Sequence, residues 1–76
     1  MIIYGSGNCS YCTKAVELLE LKGIKYEYRD INATPMHKHF LQQEGFLTIP
    51  QIYDGGLHIG GYIDLVTILD ALDRHG

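Results

Sequence analysis

The stretch MIIYGSGNCSYCTKAVELLELKGIKYEYRDI, residues 1–31, decides the fold. It opens with a short β-branched and aromatic run, which predicts a buried strand, and a Gly-Ser-Gly-Asn loop follows. From Ser10 or Tyr11 apolar residues recur at helical spacing as far as Gly23, a residue type that is favoured just after a helix ends. The run from Ile24 to Ile31 alternates apolar and polar residues and predicts a second strand. A strand, a helix and a strand in this order predict a right-handed unit with two parallel strands.

The rest of the chain predicts a second helix, a hairpin and a third helix. Thr34-Pro35 is typical of an N-cap followed by proline, and the helix that begins there is expected to end near Gly45. Asp54-Gly55-Gly56 between two apolar runs predicts a hairpin turn. A last helix is predicted from Tyr62 to Arg74, with four inward-facing residues at helical spacing: Leu65, Ile68, Leu69 and Leu72. The order β-α-β-α-β-β-α predicts an α/β fold in which a four-stranded mixed β-sheet is flanked by three helices.

Length and composition restrict the class of protein. The 76 residues are expected to form one domain, residues 1–76, because so short a chain cannot bury two cores. The net charge of -3 argues against a nucleic-acid partner, since surfaces that bind phosphate backbones are basic. No apolar run reaches the roughly 18 residues that span a bilayer, and the first residues lack the basic start of a signal peptide. We therefore expect a cytoplasmic protein without a membrane or nucleic-acid partner.

The two cysteines, Cys9 and Cys12, form a Cys-x-x-Cys motif at the predicted start of the first helix. A helix N-terminus offers free N–H groups and a partial positive charge, which favour a thiolate at Cys9 and lower its pKa. Cys12, one turn further on, falls on the apolar helix face and is expected to be buried. We therefore predict that Cys9 is the attacking nucleophile and Cys12 the resolving cysteine. A disulfide that closes so short a loop restricts the unfolded chain little, which favours a chemical role over a purely structural one.

A Cys-x-x-Cys pair can also be half of a zinc site, with His37 and His39 as the remaining ligands. Zinc sites of this kind usually space their histidines by about three to five residues, whereas these two have a single residue between them. Both histidines also fall on a predicted polar helix face. We therefore expect no metal site in this chain.

Three separated motifs occur in this chain in the same order as in one known family. They are Cys9-Ser10-Tyr11-Cys12, close to Cys-Pro-Tyr-Cys; Thr48-Ile49-Pro50, which matches Thr-Val-Pro with its cis proline; and the stretch from His58 to Leu65, which matches the glycine pair (Gly60-Gly61) and the acidic residue that follows it (Asp64) at the start of the last helix. In these motifs the chain resembles the glutaredoxins of the thioredoxin-fold superfamily, in particular the short dithiol forms of bacteria and phages. The resemblance implies a glutathione-disulfide oxidoreductase of electron transport and cell redox homeostasis. Such an enzyme reduces glutathione mixed disulfides and protein disulfides through a redox-active disulfide, here that of Cys9 and Cys12.

The resemblance also implies a groove beside Cys9 for glutathione, the cosubstrate. In this groove the backbone of Ile49, next to Pro50, pairs with the cysteinyl part of the ligand in strand fashion. The start of the last helix binds the γ-glutamyl carboxylate, while Asp64 either receives the ligand's ammonium group or caps the helix. The implied glutathione-binding residues are Tyr11, Thr48, Ile49, Pro50, Gly61, Tyr62, Ile63, Asp64 and His37.

Two serines depart from the family's pattern. Ser10 stands in place of the usual proline, and Ser6 stands where many members carry a lysine that assists the thiolate and the glycine carboxylate of glutathione. The redox potential and the substrate balance therefore stay open. His37, with Lys38 beside it, stands about where the family often has an arginine or glutamine that reaches the same carboxylate.

The resemblance implies a monomer whose partners are glutathione and disulfide-bearing or glutathionylated proteins, with ribonucleotide reductase as a family-level candidate. Two other functions stay open. Some glutaredoxins hold a [2Fe–2S] cluster between two subunits, using the first active-site cysteine and glutathione, and thiolates suit iron. The other function is that of a thioredoxin-like reductant served by a reductase, against which Gly60-Gly61 and Asp64 argue.

Overall fold

A computed structural model describes residues 1–75 of the chain. Within this range four strands form one mixed sheet, and helices pack on both of its faces. The elements are, in chain order, β1 (Ile2–Gly5), α1 (Ser10–Leu21), β2 (Glu27–Asp30), α2 (Pro35–Gln43), β3 (Gln51–Asp54), β4 (Leu57–Gly60) and α3 (Tyr62–His75). None of the helices in the described part of the chain is long and apolar enough to cross a bilayer.

The sheet has the strand order β2-β1-β3-β4. β1 runs parallel to β2 and antiparallel to β3, which in turn pairs antiparallel with β4. β1 therefore lies inside the sheet, where its apolar side chains are covered on both faces. The parallel strand–helix–strand unit and the mixed sheet that the sequence predicts are confirmed.

Two apolar clusters lie on opposite faces of the sheet, because successive side chains of a strand point to opposite sides. α1 and α3 cover one face, and α2 covers the other. The first cluster contains Ile3, Ala15, Leu19, Ile52, Leu65 and Leu69, and the second contains Tyr4, Leu41 and Tyr53. Burial of one large aliphatic side chain stabilises the fold by about 1.5–3 kcal/mol relative to exposure. These two apolar clusters therefore hold the three helices against the sheet.

The predicted start of the second strand is wrong. β2 begins at Glu27, not at Ile24, because its partner β1 begins at Ile2 and this residue already pairs with Glu27. An edge strand cannot extend its ladder beyond the strand that it pairs with. Ile24 instead packs as a partly buried residue against the cluster beneath α1 and α3.

The predicted inward face of α3 is also wrong at two positions. Leu65 and Leu69 are buried, but Ile68 is 37% exposed and Leu72 is 62% exposed. α3 has 14 residues and is about 21 Å long, whereas a four-residue strand spans only about 13 Å. The last turns of α3 therefore extend past the sheet, and Ile68 lies at the margin of the buried stripe.

The strand register places the three sequence motifs at one end of the sheet. Tyr4, near the carboxyl end of β1, pairs with Gln51 at the start of β3, and Ile52 pairs with Gly60 at the end of β4. Three segments therefore meet at this end of the sheet: the loop that follows β1, the segment that precedes β3 and the start of α3. The hairpin between β3 and β4 turns away from it through Gly55-Gly56, whose φ values of 56° and 88° confirm the predicted turn.

Candidate active site

Cys9 is the N-cap residue of α1. Its backbone is extended, with φ -106° and ψ 111°, and its Sγ accepts a hydrogen bond of 3.2 Å from the N–H of Cys12. The sulfur thus occupies the position in which a serine, threonine or aspartate oxygen usually caps a helix. Free N–H groups and the positive end of the helix dipole act directly on this atom, which is the environment that favours a thiolate.

The structure shows a disulfide between Cys9 and Cys12, whose Cα atoms are 5.2 Å apart. Cys12 is fully buried at 0% exposure, whereas Cys9 is half-buried. An incoming disulfide can therefore approach the sulfur of Cys9 but not that of Cys12. This difference in access is consistent with Cys9 as nucleophile and Cys12 as resolving cysteine, and the two roles stay predictions.

The segment Thr48–Pro50 lies against Cys9. The Ile49–Pro50 peptide bond is cis, and the carbonyl oxygen of Ile49 lies 3.7 Å from Cys9 Sγ. Among residues 1–75 the N–H of Ile49 has no hydrogen-bond partner. A free N–H and an adjacent carbonyl on one extended residue are the groups that a ligand backbone pairs with in strand fashion.

Gln51 holds the segment Thr48–Pro50 in place, a role that the sequence pattern did not predict. Its side chain, only 7% exposed, donates from Nε2 to the carbonyl oxygen of Thr48 at 3.1 Å and to Thr48 Oγ1 at 3.2 Å. Its Oε1 lies 2.7 Å from Nε2 of His58 on β4. The signal in the sequence was a polar residue between Pro50 and the apolar core of a strand, where burial requires hydrogen-bond partners.

The start of α3 abuts the same segment. An ideal Cβ on Gly61 would lie 3.6 Å from the carbonyl oxygen of Pro50. Asp64 accepts a hydrogen bond of 3.0 Å from the N–H of Gly61, so its carboxylate caps the helix. The N–H groups of Tyr62 and Ile63 have no acceptor within the described chain, which leaves them for an anion. Of the two roles that the sequence left open for Asp64, the structure shows the cap.

Two tyrosines link the starts of α1 and α3. The rings of Tyr11 and Tyr62 have centroids 5.8 Å apart, and Tyr11 is 52% exposed. Lys14 Nζ lies 4.9 Å from the centroid of the Tyr11 ring. The structure thus brings the cysteine motif, the segment Thr48–Pro50 and the start of α3 together around Cys9, as the sequence predicts.

His37 is placed apart from this group. Its ring makes an edge contact with Tyr4, with centroids 5.9 Å apart, and it lines a cavity of about 450 Å³ together with Arg29. No hydrogen bond or ring contact of the described residues joins His37 to Cys9 or Ile49. Its contact with glutathione stays a prediction. Across residues 1–75 no group of three or more His, Cys, Asp or Glu side chains is arranged to hold a metal ion.

The sequence of this chain is similar to those of known glutaredoxins. The family model for glutaredoxins matches residues 1–59. The chain is 34% identical to a glutaredoxin of Pseudomonas aeruginosa over 77 residues, which cover 100% of this chain and 87% of that protein. It is 38% identical to glutaredoxin 1 of Escherichia coli over 71 residues, which cover 83% and 84% of the two chains.

The solved structures agree with the sequence relatives. The solution structure of glutaredoxin from Brucella melitensis superposes with a TM-score of 0.76 at 38% identity, covering 96% of this chain and 83% of the other. The superposition therefore extends over nearly the whole of this chain. The chain belongs to the glutaredoxin family, and it is a thiol–disulfide oxidoreductase with the thioredoxin fold.

Proposed function

We propose that this protein uses glutathione to reduce glutathione mixed disulfides and protein disulfides through the dithiol of Cys9 and Cys12. The observation that carries the proposal is the position of Cys9 Sγ. It caps α1 and lies 3.7 Å from the carbonyl oxygen of Ile49, whose N–H is free among the described residues. A nucleophile and a residue whose backbone can pair with a ligand thus lie next to each other at one end of the sheet.

This arrangement suits the three parts of glutathione in different ways. The backbone of Ile49 pairs with the cysteinyl residue and holds its sulfur next to Cys9. The free N–H groups of Tyr62 and Ile63 bind the γ-glutamyl carboxylate at the positive end of α3. The half-exposed ring of Tyr11 forms a wall of the groove.

In the monothiol route only Cys9 reacts. Its thiolate attacks the glutathione sulfur of a mixed disulfide, so a bond forms between Cys9 and glutathione and the substrate leaves as a thiolate that takes a proton from water. A second glutathione thiolate then attacks the glutathione sulfur bound to Cys9. Oxidised glutathione departs and Cys9 returns as a thiolate. One of its two glutathione units comes from the mixed disulfide and the other from the attacking thiol, so the net reaction consumes one glutathione thiol and releases one substrate thiol.

In the dithiol route Cys9 attacks a protein disulfide and forms a mixed disulfide with the substrate. The thiolate of Cys12 then attacks Cys9 Sγ, the Cys9–Cys12 bond forms, and the substrate sulfur leaves and is protonated. The two cysteines have lost two electrons and the substrate disulfide has become two thiols. Two glutathione molecules afterwards restore the dithiol.

The proposal includes the cellular setting that the family suggests. The protein acts as a cytoplasmic monomer, and its protein substrates are disulfide-bearing or glutathionylated proteins, with ribonucleotide reductase as a candidate. The net charge of -3 favours substrates whose contact surface is not strongly acidic, because like charges repel.

The test is a steady-state assay with a glutathione mixed disulfide as substrate, in which glutathione reductase regenerates glutathione. We expect saturable turnover with glutathione, and none when thioredoxin reductase is the only source of electrons. The Cys9→Ser variant is the matched control, because it replaces only the nucleophilic sulfur at the helix cap. Turnover that needs thioredoxin reductase and ignores glutathione would contradict the proposal.

The visible absorption spectrum of the same purified protein tests the alternative function, that of an iron–sulfur cluster carrier. Of the two cysteines only Cys9 is accessible, so a [2Fe–2S] cluster bound by the reduced protein would require two chains and external thiols. We expect a colourless monomer. A brown dimer that is inactive with glutathione would identify the protein as a cluster carrier instead.

A further inference from the structure

Gly5, the last residue of β1, is crowded from two sides. A Cβ built on Gly5 would lie 2.8 Å from Cys12 Sγ and 2.6 Å from the hydroxyl oxygen of Tyr28. Both atoms are thus close to one point in space, and their separation cannot exceed the sum of these two distances. The absence of a side chain at Gly5 is what allows the phenol of β2 to come near the buried sulfur of α1.

Tyr28 has a defined orientation in this position. Its side chain is 36% exposed, and its hydroxyl donates a hydrogen bond of 3.0 Å to the carbonyl oxygen of Ser6. The carbonyl of Ser6 also accepts from the N–H of Cys9 at 3.4 Å. Burial, together with the negative charge of Asp30, raises the pKa of the Tyr28 phenol. The hydroxyl therefore keeps its proton at neutral pH and is a donor, not a base.

The resolving step requires a thiolate at Cys12, and burial opposes its formation. Cys12 is fully buried, and an apolar environment raises the pKa of a thiol. The titratable groups shown near Cys12 are its disulfide partner Cys9 and the phenol of Tyr28. Asp30 pairs with Gly5 in the strand register and acts on that phenol, while Tyr4 lies in the cluster on the opposite face of the sheet. A donor close to the sulfur would offset part of the cost of the buried charge.

We propose that Tyr28 is a positioning residue for the resolving cysteine: its hydroxyl turns from the Ser6 carbonyl to Cys12 Sγ and donates a hydrogen bond to the thiolate. The inference rests on the proposed dithiol route. In the step itself Cys12 gives its proton to water and attacks Cys9 Sγ. The Cys9–Cys12 bond forms, the bond between Cys9 and the substrate sulfur breaks, and the leaving thiolate is protonated by water. Tyr28 retains its proton throughout.

The resolving step can be observed by rapid mixing of the reduced protein with an excess of the chromogenic disulfide dithiobis(nitrobenzoic acid). The attack of Cys9 releases the first coloured thiolate at a rate that depends on reagent concentration. The attack of Cys12 releases the second at a rate that does not, because the step is intramolecular. Tyr28→Phe is compared with Tyr26→Phe, which removes the hydroxyl of a partly buried tyrosine that packs against the core two residues earlier.

We expect Tyr28→Phe to slow the second phase about threefold at neutral pH and to leave the first phase unchanged. Loss of one hydrogen bond to a charged group raises the pKa of Cys12 by about one unit and lowers its thiolate fraction about tenfold. The more basic thiolate is about threefold more nucleophilic, which recovers part of the rate. At pH values above the Cys12 pKa of both proteins the thiol is fully ionised in each, and the second phase of the variant should then be about threefold faster. Tyr26→Phe leaves both phases unchanged.

The pKa of Cys12 itself supplies the second measurement, taken from the pH dependence of its alkylation in the Cys9→Ser background. We expect Tyr28→Phe to raise it by about one unit in a protein with an unchanged circular dichroism spectrum. An unchanged second phase and an unchanged pKa would overturn the inference. Equal slowing of both phases would also overturn it, because Tyr28 would then act only by fixing the loop at Ser6. Absence of the second phase from the unmodified protein would refute the dithiol route.

Discussion

Substitution of Gly60, the last residue of β4, tests which contacts stabilise the start of α3. Its φ is +126°, a conformation that residues with a Cβ rarely adopt. A Cβ at this position would lie 2.7 Å from Cγ of Asp64, and closer still to the carboxylate oxygen that caps the helix. Gly60→Ala should therefore strain the backbone and displace the carboxylate from the N–H of Gly61.

The two effects have separate magnitudes. Backbone strain of this kind costs about 1–3 kcal/mol, and loss of a helix cap costs about 1 kcal/mol. Gly60→Ala should thus lower the free energy of unfolding by about 2–4 kcal/mol. A 76-residue domain has only about 4–11 kcal/mol in total. Gly61→Ala is the matched control: Gly61 has no positive φ, its Cβ would make an ordinary contact, and we expect a loss below about 1 kcal/mol.

Urea unfolding followed by circular dichroism measures both variants under identical conditions. The Gly60→Ala/Asp64→Ala double variant separates the loss of the cap from the backbone strain. Without the Asp64 carboxylate, the new methyl group has no cap to displace, and only the backbone strain is added. The double variant should be about 1 kcal/mol more stable than the sum of the two single losses predicts. Equal losses in Gly60→Ala and Gly61→Ala, or strict additivity with Asp64→Ala, would refute this account of the helix start.

Three further predictions concern the cysteines, the core and the segment beside Cys9. Cys9→Ser abolishes both routes, whereas Cys12→Ser retains the reduction of glutathione mixed disulfides; equal loss in the coupled assay would contradict the assigned roles. Tyr53→Phe raises the free energy of unfolding by about 1 kcal/mol, because among the described residues Tyr53 Oη is buried without a partner. Burial also raises the pKa of the Tyr53 phenol, so the unfolded chain loses this proton first and stability falls as the pH rises above about 10; urea titrations should show a smaller fall in the variant. Gln51→Ala releases Thr48 and raises the KM for a glutathione mixed disulfide about fivefold, and an unchanged KM would show that this pair of hydrogen bonds does not hold the groove.

The elements that the sequence predicts well are those with strong local signals. The β-branched run before Gly5, the helical spacing that ends at Gly23 and the glycine pair of the hairpin each determine local structure within a few residues. The burial of Cys12 followed from its place in the helical pattern and is confirmed. These features depend on the chain's own periodicity and turn chemistry and need no knowledge of distant neighbours.

The features that the sequence did not predict depend on partners far along the chain. The start of β2 is set by the length of β1, and the exposure of Leu72 is set by how far α3 extends past the sheet. The approach of Tyr28 to Gly5 arises from the pairing of two strands with a helix packed across them. The cap formed by Asp64 was one of two open roles, because a carboxylate at that position serves a helix N–H or a ligand ammonium equally well in sequence.

The central claim is that glutathione binds at Cys9 along Ile49 and the start of α3, and it is tested most directly by trapping the intermediate. The Cys12→Ser variant is treated with oxidised glutathione, the site of the adduct is mapped by mass spectrometry, and backbone amide shifts are compared before and after. The account predicts one glutathione per chain on Cys9, with the largest shifts at the N–H groups of Ile49, Tyr62 and Ile63. A protein that forms no adduct, or an adduct that leaves these three amides unshifted, would contradict it.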